Sequence, residues 1–570
     1  MAFLSFILFA LALLAYTRIT NRPFKFPPGP KPLPLIGNIL DLTPTQLWLK
    51  ALKWANTYGP ITHLRIFNQS LIFLNTPQAV FDLLDKRGAI YSDKPHLVMA
   101  GELCGCDNMV AFTPYGDRAR RQRKLMQKAF GPAVIPTYHP LMQMETSPFL
   151  KRLVSSPLKF QDHIRRYAGA LTLLVVYGHQ VKSNDDPFLN LAEECVDILA
   201  NRIASGGGIW PVDLFPALKY IPNWFPGASF KRNASIWKDK MQEFVDRPFA
   251  FVKAEIKKGT ARPSFVSTLL EPIKLSDASS DASFTSEIKQ VPTPDDPQLD
   301  HDIRWTANSM YSASIDTTLG TLSHFILALI QYPHVLELAQ AELDSVLGGD
   351  DAVLGNGGIL GVDDGVGVND RVGTSKTTAR RLPTFEDREK LPYCDAVFTE
   401  TLRWGVPVPL SLPHRLTQPD TYQGLHIPQG SLVFGNIWAI MRDERIYERA
   451  DVFEPGRWLR RDGGGGYDGR EPDEERDEDE EKWKETDPRA FVFGFGRRRC
   501  PGTHLVESSV WLLMACMLAT LDIRKARDER GVEIEPVIKF ENAVFRTPSP
   551  FVCDIRPRSE EALRLIMEGV

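Results

Sequence analysis

One stretch constrains this chain more than any other: residues Phe493 to Gly502 read FGFGRRRCPG. A single cysteine, Cys500, lies there on a glycine-spaced loop among arginines, and a Pro-Gly step follows it. Gly494 and Gly496 permit positive φ angles and a close backbone approach to a ligand. A helix predicted to begin after this loop directs backbone N–H groups at the sulfur and should lower its pKa. A thiolate presented in this way suits coordination of a haem iron, where it favours O–O cleavage.

The spacing resembles the haem-binding loop of the cytochrome P-450 monooxygenases, Phe-x-x-Gly-x-Arg-x-Cys-x-Gly. The matching residues are Phe493, Gly496, Arg498, Cys500 and Gly502. The resemblance implies that Cys500 is the axial ligand of haem b and that Arg498 contacts a haem propionate. A buried structural cysteine in an arginine-rich loop is the plainer alternative.

A second constellation joins Glu400-Thr401-Leu402-Arg403, which closes a helical pattern, to Phe453-Glu454-Pro455-Gly456-Arg457. A carboxylate and a guanidinium at i and i+3 share a helix face. On a protein surface such a pair contributes little to the stability of the fold. The order matches the Glu-x-x-Arg and Pro-x-Arg pattern of the same family. This implies a buried network of Glu400, Arg403 and Arg457 that locks the haem-binding loop, which is a structural role.

The segment Ser312 to Thr318 (SASIDTT) lies within a long apolar helical pattern. The resemblance implies an oxygen groove bordered by Ala313 and Ser314, although the family usually has glycine at the second position. Asp316 would carry protons inward, and the Thr317 hydroxyl would hydrogen-bond dioxygen. Proton delivery decides between substrate oxidation and peroxide release. The plainer alternative is a helix whose hydroxyl groups bond its own carbonyls.

Six basic residues crowd the segment Arg118 to Lys128, opposed only by Asp117. The plain interpretation is a solvated basic helix. The resemblance implies that Arg123 contacts a haem propionate and that this basic face docks an NADPH–cytochrome reductase. The family normally has tryptophan four residues before that arginine, where this chain has Ala119. His414 aligns with another propionate contact.

The N-terminal residues Ala2 to Tyr16 are almost wholly apolar, a run shorter than the roughly 20 residues that a transmembrane helix needs. A cleaved signal peptide is therefore the rival of a membrane anchor over residues 1–20. Basic residues follow the run within positions 18–31 and none precedes it, which predicts a single-pass anchor in the endoplasmic reticulum membrane with a cytosolic catalytic domain. Residues 21–35, rich in proline, resemble the stiff hinge of microsomal family members.

The aromatic residues of segment 210–227 suit either a membrane interface or a buried loop.

Composition favours one catalytic unit over residues 36–570, since the chain shows no internal repeat. The net charge of −4 gives no electrostatic case for nucleic acid as a partner. Seven scattered cysteines argue against a disulfide framework. Gly/Asp-rich stretches at about 348–378 and 461–485 are predicted to be solvated insertions. Helices are predicted between residues 78 and 403, and a hairpin before them has Asn68 and Gln69 at its turn.

The chain thus resembles a fungal microsomal cytochrome P-450, mainly α with a small β region. The resemblance implies insertion of one oxygen atom into a small hydrophobic substrate, of secondary metabolism or xenobiotic origin, with electrons from NADPH through a separate reductase. Haem-thiolate isomerases, nitric-oxide reductases and non-catalytic haem sensors are the alternatives, against which Asp316-Thr317 argues. The expected substrate contacts are Met99 to Phe112, Ala313, Thr317, Val408 to Leu412 and Ala543 to Phe545.

Overall fold

The computed structural model describes residues 25–43, 45–183, 185–204, 210–271, 297–348, 379–459, 483–540 and 544–569. The anchor predicted for residues 1–20 and almost all of the two predicted insertions lie outside the described residues.

Helices dominate the described chain. The longer helices are α1 Leu47–Tyr58, α2 Asp117–Phe130, α3 His139–Ser155, α4 Phe160–Tyr177, α5 Pro187–Asp197, α6 Ser229–Lys258, α7 Pro297–Gln331, α8 Pro333–Leu347, α9 Pro392–Gly405, α10 Thr503–Thr520 and α11 Glu560–Glu568. Shorter helices are Pro77–Val80, Gly88–Tyr91, Pro211–Leu214, Phe265–Leu270, Ile437–Met441 and Arg489–Val492, and π-helical turns are Phe81–Lys86, Val98–Leu103 and Ile198–Ile203. The helical region predicted between residues 78 and 403 is confirmed within the described ranges.

Local sequence explains where several helices begin and end. The Asp186 side chain accepts hydrogen bonds from the N–H groups of Phe188 and Leu189, and Pro187 occupies the first turn of α5. Helix α4 ends at Gly178, whose φ of 66° is a left-handed conformation that glycine adopts without strain.

The small β region contains the strands β1 Ile61–Ile66, β2 Gln69–Leu74, β3 His414–Arg415, β4 Asp420–Tyr422, β5 Leu425–Ile427, β6 Leu432–Gly435, β7 Leu521–Lys525 and β8 Cys553–Pro557. The largest sheet has the order β1-β2-β6-β3, and the pairs β4-β5 and β7-β8 stand apart. Ile66 pairs with Gln69, so the hairpin turns at Phe67 and Asn68. The predicted turn at Asn68 and Gln69 is therefore wrong by one residue, because Phe67 itself adopts a positive φ of 50°.

The long helix α7 organises the helical core and contacts α2, α4, α9 and α10. By length and composition α7 and α10 could each cross a membrane, but 72% and 78% of their most apolar windows are buried inside the protein. They are therefore core helices. A second apolar cluster joins the main sheet to α1 and the residues around the Cys500 loop.

The described part of the predicted hinge is packed on the domain rather than free. The Phe26 ring stacks on His63 with centroids 5.5 Å apart, and the His63 N–H donates to the Pro28 carbonyl at 2.9 Å. A Cβ on Gly29 would lie 1.9 Å from the His63 carbonyl oxygen, so only glycine permits this approach. From Lys25 onward the hinge packs against the β region.

The second predicted insertion ends earlier than expected. The Trp483 indole stacks on Phe81 with centroids 5.1 Å apart and planes 6° apart. The Glu485 N–H donates to the Ile446 carbonyl at 2.8 Å. Trp483 to Glu485 are therefore part of the folded domain, and their assignment to a solvated insertion is wrong, because the half-buried indole packs with Phe81 against the second apolar cluster.

Candidate active site

The cysteine loop closes on itself through backbone hydrogen bonds. The Cys500 N–H donates to the Phe493 carbonyl at 2.7 Å, and the Arg499 N–H donates to the Gly496 carbonyl at 3.1 Å. Gly494 and Gly496 have φ angles of 75° and 53°, as the sequence predicted. A Cβ on Gly496 would lie 2.2 Å from the Leu84 carbonyl oxygen, so the close approach at this glycine is to the π-helical turn. Around Gly494 the space is open.

The sulfur lies deep in the protein among groups that favour and oppose its ionisation. Burial is the largest influence and raises the pKa of Cys500, while the Gly502 N–H, Arg123 and Arg499 lower it. The sequence predicted a lowered pKa, and the net direction is the opposite because desolvation outweighs the local donors. Although it lies in the interior, Cys500 keeps accessible surface, so it faces a cavity rather than packed side chains.

Arg498 and Arg123 fasten the loop to neighbouring elements. The Arg498 guanidinium donates to the carbonyls of Ser92 and Thr113, both at 2.8 Å, and burial lowers its pKa to about 10. Arg123, on α2, donates to the carbonyl of Arg499. Both cations thus lie beside the cysteine loop with neutral partners.

His414 and a residue that the sequence did not single out, Lys94, complete this cluster. His414 is buried, and its Nδ1 lies 2.7 Å from the Tyr91 carbonyl oxygen, so Nδ1 carries the proton. Burial and the nearby Lys94 hold the pKa of His414 well below its ordinary value. Lys94 is buried and donates to the carbonyls of Leu412 and Pro413, both at 3.1 Å. Burial lowers the pKa of Lys94 to about 7.

Lys94 carried no signal in the sequence because a lone lysine before a proline is ordinary. Only the fold brings it near Arg498, which depresses its pKa. Asp93 is the acid that acts on both cations, and it also pairs with Arg415 at 3.2 Å. A buried thiol facing a cavity, beside an excess of positive charge, fits a flat ligand that carries an iron and two carboxylates.

On α7 the Thr317 hydroxyl donates to the Ala313 carbonyl at 2.8 Å. Its proton is therefore used within the helix, as the plainer alternative supposed, while its oxygen retains a lone pair. Ala313 is exposed although α7 is a core helix, so it too borders a cavity. Burial raises the pKa of Asp316 to about 6, against the opposing influence of Arg165.

Ser314 stands where the family usually has glycine, and the structure shows where its extra atoms go. The Thr172 hydroxyl of α4 donates to Ser314 Oγ at 2.9 Å, and Ser314 Oγ donates to the Tyr311 carbonyl at 2.9 Å. The hydroxymethyl group is therefore turned toward α4.

The structure brings Glu400, Arg403 and Arg457 together in the interior, with 0%, 0% and 3% exposure. Arg403 binds both Glu400 oxygens, at 2.9 and 2.8 Å, and Arg457 Nε lies 3.3 Å from Oε1. The Glu454 N–H and the Trp458 indole N–H also donate to Glu400, at 2.9 and 3.0 Å. The carboxylate is thus fully satisfied, as a buried charge requires.

Arg489, which the sequence did not single out, links this region to the cysteine loop. Its guanidinium donates to the Thr399 hydroxyl at 3.1 Å, next to Glu400 in the chain. Its carbonyl accepts from Arg499 at 2.9 Å, and its Nε pairs with Glu507 at 3.2 Å.

The basic segment is less free than its sequence suggests. Arg118, Arg120 and Arg121 bond Asn108, Asp117 and Asp302, respectively. Lys124 and Lys128, by contrast, are exposed on α2. Among the expected substrate contacts, Met99 is buried and Leu412 is 42% exposed, while Ala543 lies outside the described residues.

The fold and the site define a haem-thiolate protein, and comparisons with known proteins agree. The family model described as cytochrome P-450 matches residues 27–552. The cytochrome P-450 monooxygenase claR of Ampulloclitocybe clavipes is 38% identical over 550 residues, which cover 96% of this chain and 89% of that protein. The cytochrome P-450 monooxygenase claT from the same fungus is 36% identical over 560 residues, which cover 98% of this chain and 97% of that protein. Cytochrome P-450 monooxygenase 136 of Postia placenta is 36% identical over 558 residues, 97% and 92% of the two chains.

This chain belongs to the cytochrome P-450 family. It is a haem-dependent monooxygenase, its cofactor is haem b, and the P-450 fold predicted from the sequence is confirmed.

Proposed function

We propose that this monooxygenase inserts one oxygen atom of O₂ into a small hydrophobic substrate of fungal secondary metabolism or xenobiotic origin, using electrons from NADPH–cytochrome reductase. The observation that carries the proposal is the accessible surface of Cys500 and Ala313, two residues on elements packed into the core. We take them as opposite walls of one chamber. Haem bound by the Cys500 thiolate supplies the oxygen-activating chemistry there.

Four residues are proposed to hold the haem propionates: Arg498, Lys94, Arg123 and His414. Their present partners are backbone carbonyls, which leaves the positive charge of the three cations uncompensated by these contacts. A carboxylate is a stronger acceptor than a carbonyl for a buried cation. Phe493 and Gly496 support the loop, and the Glu400, Arg403 and Arg457 network fixes its far side through Arg489.

Thr317 and Asp316 are proposed to manage protons at the oxygen side. Because the Thr317 proton is held by the Ala313 carbonyl, the hydroxyl oxygen accepts a hydrogen bond from a protonated group in the chamber. Asp316, with a pKa of about 6, takes up and releases protons near neutral pH. Thr317→Ala should raise peroxide released per NADPH consumed, and Thr317→Ser should restore coupling. Equal coupling in the alanine variant would refute this role.

Lys124 and Lys128 are proposed as the contacts for the reductase, because they are exposed, whereas the exposed arginines of the same segment already bond Asn108, Asp117 and Asp302. The double variant Lys124→Glu/Lys128→Glu should raise the reductase KM about tenfold, a loss of about 1.4 kcal/mol. Its carbon monoxide spectrum should be unchanged. Lys257→Glu/Lys258→Glu, on α6, makes the same change of charge at two other exposed lysines, and an equal effect there would remove the assignment.

We also propose a single-pass anchor at residues 1–20 and residence in the endoplasmic reticulum membrane. Tyr220 and Trp224 are 78% and 79% exposed, which suits aromatic side chains at a membrane interface. Two exposed N-glycosylation sequons, at Asn68 and Asn233, report the orientation. A cytosolic catalytic domain leaves both without glycan, whereas glycan on either one contradicts this topology.

The low-complexity stretch before Trp483 is proposed to be dispensable. Its Gly and acidic content buries too little apolar area to offset the entropy of ordering. Replacement of Gly463 to Lys482 by a short linker should keep the carbon monoxide spectrum, whereas Trp483→Ala should lower stability because the stacked ring is lost. Loss of haem in the linker variant alone would contradict the proposal.

The whole assignment is tested by reconstitution with a reductase. Stoichiometric consumption of NADPH and O₂ with a hydroxylated product is expected, and turnover without O₂ would favour a haem-thiolate isomerase or reductase. A screen of hydrophobic compounds by the haem Soret shift would identify the substrate class.

A further inference from the structure

A buried histidine and a buried arginine meet on α7 beyond Thr317. His324 follows Thr317 by about two helical turns and is fully buried. Its Nδ1 lies 2.6 Å from the Gly320 carbonyl oxygen, so Nδ1 carries the proton. Its Nε2 lies 2.6 Å from Nη1 of Arg546 and accepts from it. Burial and the positive charges of Arg546 and Arg442 hold the pKa of His324 well below its ordinary value.

Arg546 connects three segments of the chain through one side chain and its backbone. The same Nη1 donates to the Gly405 carbonyl at 2.6 Å, at the end of α9. The backbone N–H of Arg546 donates to the Pro407 carbonyl at 2.8 Å. The guanidinium carbon lies 4.5 Å from the ring centroids of both Trp438 and Phe540. Helix α7, the end of α9 and the C-terminal loop therefore converge on Arg546.

Burying the Arg546 guanidinium costs folding free energy. Arg546 is 7% exposed, and burial lowers its pKa to about 9. Within the described ranges no carboxylate pairs with it. A buried ion without a counter-charge costs several kcal/mol, and buried polar groups of this kind are retained in some proteins because they fix one arrangement of the chain.

The arrangement that Arg546 fixes lies next to Thr317. A Cβ on Gly320 would lie 3.1 Å from Thr547 Oγ1, 3.5 Å from Pro407 Cβ and 3.7 Å from the Arg546 carbonyl oxygen. Gly320 and Thr317 share a helix face at i and i+3. The C-terminal loop therefore forms a wall one helical turn from Thr317, and the preceding residues of that loop are half-buried.

We propose that Arg546 and His324 are positioning residues that hold the loop Val544–Thr547 beside Thr317 and thereby set which ligands fit next to the haem. The inference rests on the proposed function, because it takes Thr317 to border the oxygen side of the chamber. Neither residue takes part in oxygen or proton chemistry. Their role is to keep Val544 and Phe545 in a fixed position against α7.

The test uses two haem-ligating probes, imidazole and the bulkier 4-phenylimidazole, titrated by difference spectroscopy. Arg546→Met should change the Kd for 4-phenylimidazole by about fivefold or more, equivalent to about 1 kcal/mol, and leave the imidazole Kd within about twofold. Hydrogen exchange in residues 544–551 should also become faster, because the bond to Pro407 weakens. Arg530→Met, an exposed arginine on the 526–534 turn, is the control and should change neither.

An unchanged ratio of the two Kd values in folded Arg546→Met overturns the inference. If that variant does not take up haem, the double variant Arg546→Met/His324→Leu carries the test, because it also removes the His324 Nε2 acceptor that the single variant leaves without its donor. A shifted ratio in it supports the inference, and an unchanged ratio overturns it. A wild-type protein without a thiolate-haem spectrum would refute the proposed function instead, and the exchange measurement would still show whether Arg546 holds the loop Val544–Thr547 in place.

Discussion

The two sides of the proposed haem site are built in different ways. On the thiolate side, motif residues bond specific partners: Glu400 accepts from Arg403 at 2.8 Å, and Cys500 donates to Phe493 at 2.7 Å. On the proposed oxygen side, the Thr317 hydroxyl donates within its own helix, and segments distant in the sequence pack one helical turn away, at Gly320. The thiolate side is therefore defined by fixed spacing in the sequence, whereas the oxygen side is defined by how separate parts of the chain pack.

The largest effect is expected from removing the thiolate. Cys500→Ala should abolish the long-wavelength Soret band of the reduced carbon monoxide complex, because no other described thiol faces this loop. Cys553→Ala removes another buried thiol and should keep the band. Absorption spectra of the two purified variants make the comparison, and a normal band in Cys500→Ala would contradict the ligand assignment.

The next largest effect is expected from breaking the network of Glu400, Arg403 and Arg457. Glu400→Ala leaves two buried guanidinium groups without their carboxylate, and breaking a buried ion pair costs about 3–5 kcal/mol. We expect loss of haem incorporation or a marked fall in thermal midpoint. Arg388→Ala breaks a half-exposed pair with Asp395 and should cost much less. Equal losses would mean that burial does not distinguish the two pairs.

This contrast explains how much the sequence could predict. The sequence could predict the family, the cysteine loop, the Glu400 network and the helical region, because each depends on residue types at short, fixed separations. Lys94, Arg489 and the pair His324–Arg546 were not, because each gains its role from contacts between segments far apart in the chain. The end of the second insertion was misjudged for the same reason, because Trp483 has a ring partner that composition does not reveal, and the stacking of Phe26 on His63 was equally out of reach.

A smaller effect concerns the acid on the oxygen side. The pKa of Asp316 is raised by burial from 3.8 in the unfolded chain to about 6 in the folded protein. The folded state therefore holds this proton more tightly, so its contribution to stability is fully present below pH 3.8 and is lost as pH rises through about 6. Asp316→Asn should thus gain stability relative to wild type as pH rises from about 4 to about 6. Denaturant unfolding of both proteins across that range checks the sign, and parallel curves would show that Asp316 is not desolvated.

The smallest effect is expected at Ala119, which is 6% exposed on α2, one turn from Arg123. A tryptophan there could donate its indole N–H to a propionate, and a hydrogen bond to a charged acceptor contributes about 1.5–3 kcal/mol. Ala119→Trp should therefore slow haem transfer to an apo-globin, by about fourfold to tenfold if half of that energy is realised. Ala119→Phe supplies similar bulk without a donor and should not slow the transfer. Equal slowing in both variants would indicate packing alone. An unchanged rate in a folded Ala119→Trp protein would mean that another donor already fills that position.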